Sequence, residues 1–401
     1  MKTIFIIPSW YPSAQDSISG IFFKQLAEAI AKYADEFRVV VCLWGQCDEN
    51  IPLNRPYEIV RWIGDFIKRP RGEWRVSNGV EIVEDRAVSW SHRLPLGGSD
   101  RLFPVARRNL VRAIEKFGRV DLIHAFVSYP AGGLAYRLSS QFNIPYIVTE
   151  TSGPFPFPSH RLQNGQPKSE IRDALTGAAR RIVPSEYLAK RFEELGLPGA
   201  DIIPWSVDSN RFVLGERSSS ETINAVCCCR LVREKGVFDL LDAFVIASRA
   251  ASNLRLKVIG SGPDENALKQ HSADNGLTGK IDWLGALSND STAEQFFNGD
   301  FFVLPSHLDT FGIVYIEAMA SGMPVIATRC GGPDSFVTSE VGVLIDVGDV
   351  QGIAAAMVEM AHGYQRYERR RVREYCLEKF DRKKIAKVHH QVYTEVIDAK
   401  Y

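Results

Sequence analysis

A single carboxylate stands out in the apolar stretch that runs from Phe311 to Pro324. Glu317 is the only charged residue there, and its neighbours are valine, tyrosine, isoleucine, alanine and methionine. The pattern predicts a helix from about Phe311 to Ala320 that is apolar on nearly all sides and therefore buried. A buried carboxylate must find hydrogen-bond partners, and a ligand with hydroxyl groups would supply them. The alternative is that Glu317 is a partly exposed helix residue without a ligand.

The amino end of this predicted helix has the features of an anion site. Its first backbone amides, from Phe311, Gly312 and Ile313, would point out of the positive end of the helix dipole, where phosphate groups bind. Asp309 and Thr310 come directly before them. The alternative is that one of these two side chains is a simple N-cap.

Two cations follow the first strand that is predicted in the second half of the chain. Arg230 stands at the end of that strand, and Lys235 stands just before a helix. Fixed cations near a helix amino end would stabilise the charge of a leaving diphosphate without a metal ion. A solvated basic turn is the alternative.

At this point the sequence resembles a known family. The segment from Asp309 to Glu317, with Phe311-Gly312 inside it and Ala318-Met-Ala-Ser-Gly-Met-Pro324 after it, is similar to the Glu-x7-Glu signature of the retaining glycosyltransferases of family 4, which have the GT-B fold. The resemblance implies that Glu317 holds the ribose hydroxyls of a nucleotide. It also implies that Asp309, which replaces the first Glu of the signature, contacts the sugar.

The same resemblance assigns the remaining donor contacts. In the family, the Arg and Lys of an Arg-x4-Lys-Gly pattern grip the diphosphate, which implies this role for Arg230 and Lys235. The sugar and the diphosphate would also be bound by the loop between the two acidic positions, which consists here of Thr310, Phe311, Gly312 and Ile313.

Three residues of the first half take roles from the resemblance. Gly20 permits close backbone approach at a helix start, and in the family this loop meets the donor diphosphate from the other side of the cleft; an ordinary helix start is the alternative. His124 and Glu150 stand at strand ends that match sugar-proximal positions of the family. Each pattern lacks its second histidine, at Phe126 and Thr151, so a packed or surface role for His124 stays open.

Gly262 gives a further, weaker indication of a ligand site. Gly260-Ser-Gly262 follows a predicted strand, but any tight turn between a strand and a helix uses glycine. The third glycine of a dinucleotide fingerprint is missing, which disfavours a nicotinamide oxidoreductase. The sequence also contains no Asp-x-Asp, which disfavours the metal-dependent GT-A type of glycosyltransferase.

The elements that must position these residues alternate along the chain. Apolar β-branched runs are followed by stretches of helical period, which is typical of parallel sheets covered by helices. The strands predicted are Thr3–Pro8, Arg38–Leu43, Asp121–Phe126, Pro145–Thr149, Arg181–Pro184, Ile223–Cys229, Leu254–Ile259, Ile281–Leu284, Phe301–Pro305 and Pro324–Ala327.

This alternation predicts an α/β protein of two Rossmann-like, doubly wound domains that face each other across a cleft. Residues 1–207 would form the acceptor-side domain and residues 208–380 the donor domain, after a polar connector from Asp208 to Glu221. Residues 381–401 are predicted to be helical, and the resemblance implies that this helix crosses back to the first domain. The basic run from Arg366 to Lys379 is interpreted as a solvated helix face.

Composition limits the partners. The chain of 401 residues has 48 basic and 48 acidic side chains, so no bulk field attracts nucleic acid or a membrane. No stretch is long and apolar enough to span a bilayer, and seven cysteines without CxxC spacing fit a reducing compartment, so a cytoplasmic location is expected. Residues 61–75 and 101–119 mix basic and aromatic side chains, which suits peripheral contact with the inner membrane face or a lipid-linked acceptor; ordinary surface structure is the alternative.

The predicted function is retaining transfer of a sugar from a nucleoside-diphosphate sugar to a hydroxyl of a glycan or lipid-linked glycan, in bacterial cell-surface polysaccharide synthesis by resemblance. No metal ion and no cofactor beyond this co-substrate is expected. A nucleotide-sugar epimerase of the same architecture and a catalytically silent glycan-binding protein are the alternatives.

Overall fold

The computed structural model describes residues 1–13, 16, 18–46, 51, 56–88, 99–214 and 221–399. Contacts between Cα atoms divide the chain into two compact units. The first comprises Met1–Pro184, Ala189–Ile203 and Lys383–Tyr401, and the second comprises Ser185–Leu188 and Pro204–Arg382. The division after Ile203 lies a few residues before the boundary expected after residue 207. Residues 215–220 of the expected connector lie outside the described residues.

The first unit is built on one eight-stranded sheet. Its strands are β1 (Lys2–Pro8), β2 (Phe37–Leu43), β3 (Arg71–Ser77), β4 (Val80–Asp85), β5 (Leu122–Phe126), β6 (Tyr146–Thr149), β7 (Arg180–Val183) and β8 (Asp201–Ile202). They lie in the order β3-β4-β2-β1-β5-β6-β7-β8, and every neighbouring pair is parallel except β3 and β4. The order reverses beside β1, as in a doubly wound sheet.

Helices connect these strands because the intervening sequence has apolar residues at helical spacing. They are α1 (Ile21–Tyr33), α2 (Ile59–Lys68), α3 (Ser99–Phe117), α4 (Gly133–Phe142), α5 (Ser169–Thr176) and α6 (Glu186–Glu194). Helix α1 buries Phe23, Leu26 and Ile30 on one face, which packs on the sheet. Helix α2 differs from the others, since none of its residues is buried.

The second unit has a six-stranded sheet that is parallel throughout. Its strands are β9 (Ile223–Cys228), β10 (Leu254–Ile259), β11 (Ile281–Gly285), β12 (Phe301–Leu304), β13 (Val325–Thr328) and β14 (Gly342–Ile345). The order β11-β10-β9-β12-β13-β14 reverses between β9 and β12. All ten predicted strands of the two units are confirmed to within about one residue at each end.

Seven further helices complete the described part of the chain. They are α7 (Val237–Ala250), α8 (Glu265–Asp274), α9 (Asn289–Phe297), α10 (Ile313–Ala320), α11 (Val350–Gly363), α12 (Arg369–Phe380) and α13 (Arg382–Asp398). Residues of α13 from Lys383 onward belong to the first unit, where Tyr393 is fully buried and hydrogen-bonds His124.

The basic helix α12 is only partly a solvated face, so that interpretation is wrong for two of its arginines. Arg369 donates to the carbonyl of Ser321 at 2.9 Å, and Arg373 donates to the carbonyls of Ala320 and of Phe212. Carbonyls at the end of a helix have no partner within that helix, and cations satisfy them. The two arginines therefore bind the carboxyl end of α10.

Candidate functional site

The strands β9 and β12 are neighbours in the second sheet, and the predicted donor residues follow them. Phe301 and Phe302 of β12 pair with Ala225 and Val226 of β9 in parallel. The sheet order reverses between these two strands, and ligands of open α/β sheets bind outside the carboxyl ends of strands at such a switch point. The loops that carry Lys235 and Asp309 therefore leave the sheet at the same edge.

A glycine brings the two loops into contact. Lys235 ends the single-turn helix Arg233–Lys235, and Gly236 follows with φ 65° and caps α7. A Cβ atom built on Gly236 would lie 1.9 Å from the carbonyl oxygen of Pro305, the residue after β12. Only glycine fits this left-handed position beside another backbone segment.

His307 fastens the same two loops, and sequence reasoning missed it. Its amide donates to the carbonyl of Glu234 at 2.8 Å, and its ring Nε2 lies 2.7 Å from Oδ2 of Asp239 on α7. The only sequence signal was its position two residues before Asp309. The loop from Pro305 to Gly312, which we call the donor loop, is thus held to the amino-terminal turn of α7.

Lys235 and Asp309 form an ion pair. Nζ of Lys235 lies 2.6 Å from Oδ2 of Asp309, and both side chains are mostly buried. Burial opposes the charged ammonium, but the neighbouring Asp309 carboxylate outweighs this and raises the pKa of Lys235 above its ordinary value. The cation is therefore charged and already paired with an anion of the chain.

Gly312 sets the start of α10. With φ 88° and ψ 65° it is the N-cap, so the helix begins at Ile313 and not at Phe311 as predicted. Neither Asp309 nor Thr310 caps α10, but Oδ1 of Asp309 accepts the amide of Phe311 at 3.3 Å. A Cβ on Gly312 would lie 3.7 Å from Cγ of Asp309, so the start of α10 and the Lys235–Asp309 pair converge.

The side chains of the loop between Asp309 and α10 are packed inside the unit. Thr310 and Phe311 are buried, and Ile313 is half-buried. The carbonyl of Thr310 accepts the hydroxyl of Ser185 at 2.6 Å. These residues can therefore offer a ligand mainly their backbone, as the sequence analysis expects of the loop.

Glu317 is half-buried on the second turn of α10. Among the described residues, no hydrogen bond or ion pair reaches its carboxylate. Burial raises the pKa of Glu317 to about 8, although the guanidinium groups of Arg211 and Arg382 favour the charged form. A carboxyl group without a partner among these residues is suited to accept hydroxyl groups of a ligand.

Arg230 and Gly262 lie on the adjoining turns after β9 and β10. Arg230 is exposed, and no hydrogen bond or ion pair involves its side chain within the described ranges. A Cβ on Gly262 would lie 2.2 Å from the carbonyl oxygen of Leu231, and one on Gly260 would lie 1.8 Å from that of Cys229. Contact between the chain's own turns is thus sufficient to require these glycines.

In the first unit, Gly20 has the expected close approach. It has φ 71°, caps α1, and a Cβ there would lie 2.4 Å from the carbonyl oxygen of Trp10. Asp16 shapes this loop, since its Oδ1 accepts the amides of Ile18 and Ser19 at 3.0 and 2.8 Å.

The structure does not leave Glu150 open to a sugar. Its Oε1 accepts the amides of Thr151 and Ser152, both at 2.8 Å, and its Oε2 accepts the amide of Ser128 at 3.0 Å and the Ser128 hydroxyl. The carboxylate is fully buried and satisfied by the loops after β5 and β6. In this structure Glu150 holds those loops, and its place near a sugar stays a prediction.

His124 is likewise a packed histidine, the alternative that the sequence left open. Its Nδ1 lies 2.7 Å from the hydroxyl of Tyr393, and its Nε2 lies 2.8 Å from Oγ1 of Thr149. Burial, assisted by His389, lowers the pKa of His124 well below its ordinary value. A neutral, fully buried ring with both nitrogens bonded has no atom left for a sugar.

The two basic and aromatic segments differ. Within residues 101–119, four of the six basic side chains pair with carboxylates of the same unit: Arg108 and Arg112 of α3 with Asp85, Lys116 of α3 with Glu81, and Arg119 after α3 with Asp121. These cations have structural partners. Residues 61–75 instead lie in the exposed helix α2 and in β3.

Among the described residues, no three His, Cys, Asp or Glu side chains are grouped so that they could hold a metal ion. No helix in this part of the chain combines the length and the apolar character needed to cross a bilayer.

Two family models match the chain. The model described as "Glycosyl transferase 4-like domain" matches residues 20–205, and "Glycosyl transferases group 1" matches residues 209–376. Among curated proteins, the chain is 26% identical over 382 residues to TuaC of Bacillus subtilis strain 168, a glycosyltransferase named for teichuronic acid biosynthesis, covering 90% of each chain. It is 30% identical over 257 residues to a GDP-mannose-dependent alpha-mannosyltransferase of Corynebacterium glutamicum, covering 60% of this chain and 58% of the relative.

Solved structures resemble the whole chain. Sucrose-phosphate synthase from Thermosynechococcus elongatus superposes with a TM-score of 0.75 at 20% identity, covering 100% of both chains. HepE of Anabaena, solved in complex with UDP, gives a TM-score of 0.70 at 17% identity and covers 98% of this chain and 100% of its own. At such identities the likeness establishes the fold.

Proposed function

Because the chain belongs to the family 4-like glycosyltransferases of the GT-B fold, we propose that it transfers a sugar from a nucleoside-diphosphate sugar to a hydroxyl group, with retention at the anomeric carbon. The observation that carries the proposal is the convergence of Lys235, Asp309 and the amino end of α10 beyond the neighbouring strands β9 and β12. A charged ammonium beside the amino end of a helix at a switch point is an arrangement suited to a diphosphate.

The proposed roles follow from each residue's surroundings. Lys235 and the exposed Arg230 bind the diphosphate and stabilise its charge as the bond to the sugar breaks. Glu317, whose carboxylate has no partner among the described residues, accepts the ribose hydroxyls. Asp309 exchanges its bond to Lys235 for hydroxyl groups of the transferred sugar.

In the proposed reaction the acceptor oxygen attacks the anomeric carbon on the face from which the diphosphate leaves. The bond from the anomeric carbon to the phosphate oxygen breaks, and its electron pair stays on the diphosphate. The acceptor's proton passes to that same oxygen, so no side-chain nucleophile and no metal ion is needed. Exclusion of water protects the donor from hydrolysis.

For the acceptor we propose a glycan or lipid-linked glycan of a bacterial cell-surface polysaccharide, used in the cytoplasm. Two relatives support this choice, since one is named for teichuronic acid biosynthesis and the other is named as a phosphatidylinositol monomannoside mannosyltransferase. HepE, solved with UDP, supports a nucleotide donor.

A panel of UDP-, GDP- and ADP-sugars tests the donor, with thermal stabilisation as the measurement. One of them should raise the melting temperature of the wild type, and Arg230→Ala should abolish that rise. Glu317→Ala should weaken donor binding on the order of 10-fold while the protein stays folded, because the hydrogen bonds to the ribose hydroxyls are lost. Full transfer activity in Glu317→Ala would show the ribose assignment to be wrong.

The same panel separates the alternatives. Donor turnover without an added acceptor would indicate an epimerase. If none of the nucleotide sugars binds, a glycan-binding protein is indicated. For an active donor, the anomeric configuration of the product, measured by NMR, tests retention.

A further inference from the structure

Helix α2 presents aliphatic side chains to solvent. Val60, Ile63 and Ile67 are 79%, 47% and 65% exposed, and Tyr57 in the turn before the helix is 77% exposed. At about 100° of rotation per residue, the three aliphatic side chains lie within about 60° of one another. They therefore form one continuous apolar face, which we call the outer face of α2.

The outer face is the uncovered part of a wider apolar stripe. The other part consists of Trp62 and Phe66, which are half-buried and stack with ring centroids 5.2 Å apart. Arg86 lies over the Phe66 ring at 4.9 Å and donates to the carbonyls at the end of α2, which holds the helix on its unit. A surface helix normally turns its apolar stripe inward, so the outer face is unusual.

Cations border the outer face. By the same rotation Arg61 and Lys68 lie on the flank next to Val60 and Ile67. The Arg61 side chain is 88% exposed, with Asp65 4.0 Å away, and no ion pair reaches Lys68 among the described residues. From residue 59 to 71 the sequence has four basic side chains, with Arg69 and Arg71, against Asp65 alone.

Apolar side chains beside exposed cations match the interface of an anionic bilayer. Aliphatic groups enter the boundary between headgroups and acyl chains, while long basic side chains extend to the lipid phosphates. Residues 101–119 lack this combination, because four of their basic side chains are paired with carboxylates and the apolar side of α3 is buried.

We propose that α2 binds the surface of an anionic membrane, with Val60, Ile63 and Ile67 inserted and with Arg61 and Lys68 at the headgroups. This proposal rests on the proposed function in one respect: membrane binding would bring the enzyme to a lipid-linked acceptor. Binding itself requires neither a donor nor activity.

Co-sedimentation of the full chain with vesicles tests the proposal. We expect binding to vesicles of phosphatidylcholine with phosphatidylglycerol, weaker binding to phosphatidylcholine alone, and weakening by salt. The triple variant Val60→Ser, Ile63→Ser, Ile67→Ser should lower the partition coefficient at least about tenfold, because less apolar surface enters the interface.

The matched control replaces exposed aliphatic residues elsewhere in the chain, Val347→Ser with Val388→Ser, and should bind vesicles like the wild type. Arg61→Gln with Lys68→Gln should retain binding to neutral vesicles and lose the preference for anionic ones. The triple variant should keep the wild-type melting temperature and its activity on a water-soluble acceptor.

Several outcomes would overturn the proposal. The first is that the wild-type protein stays in the supernatant with anionic vesicles, and the second is that the triple variant sediments as the wild type does. The third is that the molar mass of the wild type, measured by light scattering, doubles as the protein concentration rises, while that of the triple variant does not. The last result would make a second copy of the chain the occupant. If the protein binds vesicles but transfers no sugar, the proposed function is wrong and the membrane-binding proposal is still supported.

Discussion

Replacing Glu317 by glutamine removes one ionisable carboxyl group and leaves the side chain with nearly the same shape. Burial raises the pKa of Glu317 to about 8 from an ordinary value of 4.5, against the opposing effect of Arg211 and Arg382. Between these values the folded protein holds a proton that the unfolded chain has lost, so the free energy of unfolding falls as pH rises. This contribution is complete below pH 4.5 and is lost by about pH 8.

The size of the effect follows from that interval. At about 1.4 kcal/mol per pH unit, the interval corresponds to an upper limit of about 5 kcal/mol. Glutamine is neutral throughout, so Glu317→Gln should match the wild type near pH 5 and exceed it near pH 8. For a unit of this size about 1 kcal/mol shifts the melting temperature by about 2–4 °C, so the difference at pH 8 is on the order of 10 °C.

Differential scanning calorimetry of the full chain at pH 5 and pH 8 measures this difference. The transition to be compared is the one that a bound nucleotide sugar shifts, which assigns it to the second unit. Glu340→Gln, an exposed substitution in the same unit, is the control and should follow the wild type. If wild type and Glu317→Gln change equally between the two pH values, the pKa of Glu317 is not raised in the folded protein.

Four further substitutions test other contacts. Gly236→Ala should destabilise the second unit by at least about 2 kcal/mol, because its φ is 65° and the new Cβ would meet the Pro305 oxygen at 1.9 Å; an unchanged melting temperature would contradict this. His307→Gln and Asp239→Asn should each raise the donor KM about 3- to 10-fold with a smaller effect on kcat, because each loosens the donor loop; a change in kcat alone would mean a different role. Glu150→Gln should destabilise the first unit by about 2–4 kcal/mol through lost hydrogen bonds, with donor affinity unchanged; weaker donor binding would return Glu150 to the site.

The sequence could predict what depends on local pattern. The bounds of β10 match their prediction residue for residue, because apolar periodicity and the following turn determine them. The meeting of Lys235 with Asp309 was also predictable, since carboxyl ends of neighbouring parallel strands share one edge of a sheet.

Contacts between distant segments were out of reach. The bond between His307 and Asp239 joins residues 68 positions apart. The burial of Glu150 depends on the Ser128 loop closing over it, and a strand-end position alone cannot distinguish that from an open site. The β3–β4 hairpin could have been found, because Asn78-Gly79 is a strong hairpin signal that the basic and aromatic composition of residues 61–75 obscured.

The pairing of Lys235 with Asp309 also bears on turnover. In the proposed reaction, a nucleoside diphosphate held by an unopposed ammonium would dissociate slowly. The Asp309 carboxylate, which belongs to the same chain as Lys235, would compete with it for that ammonium at a fixed effective concentration. If the proposed function holds, this competition favours release of the product over its retention.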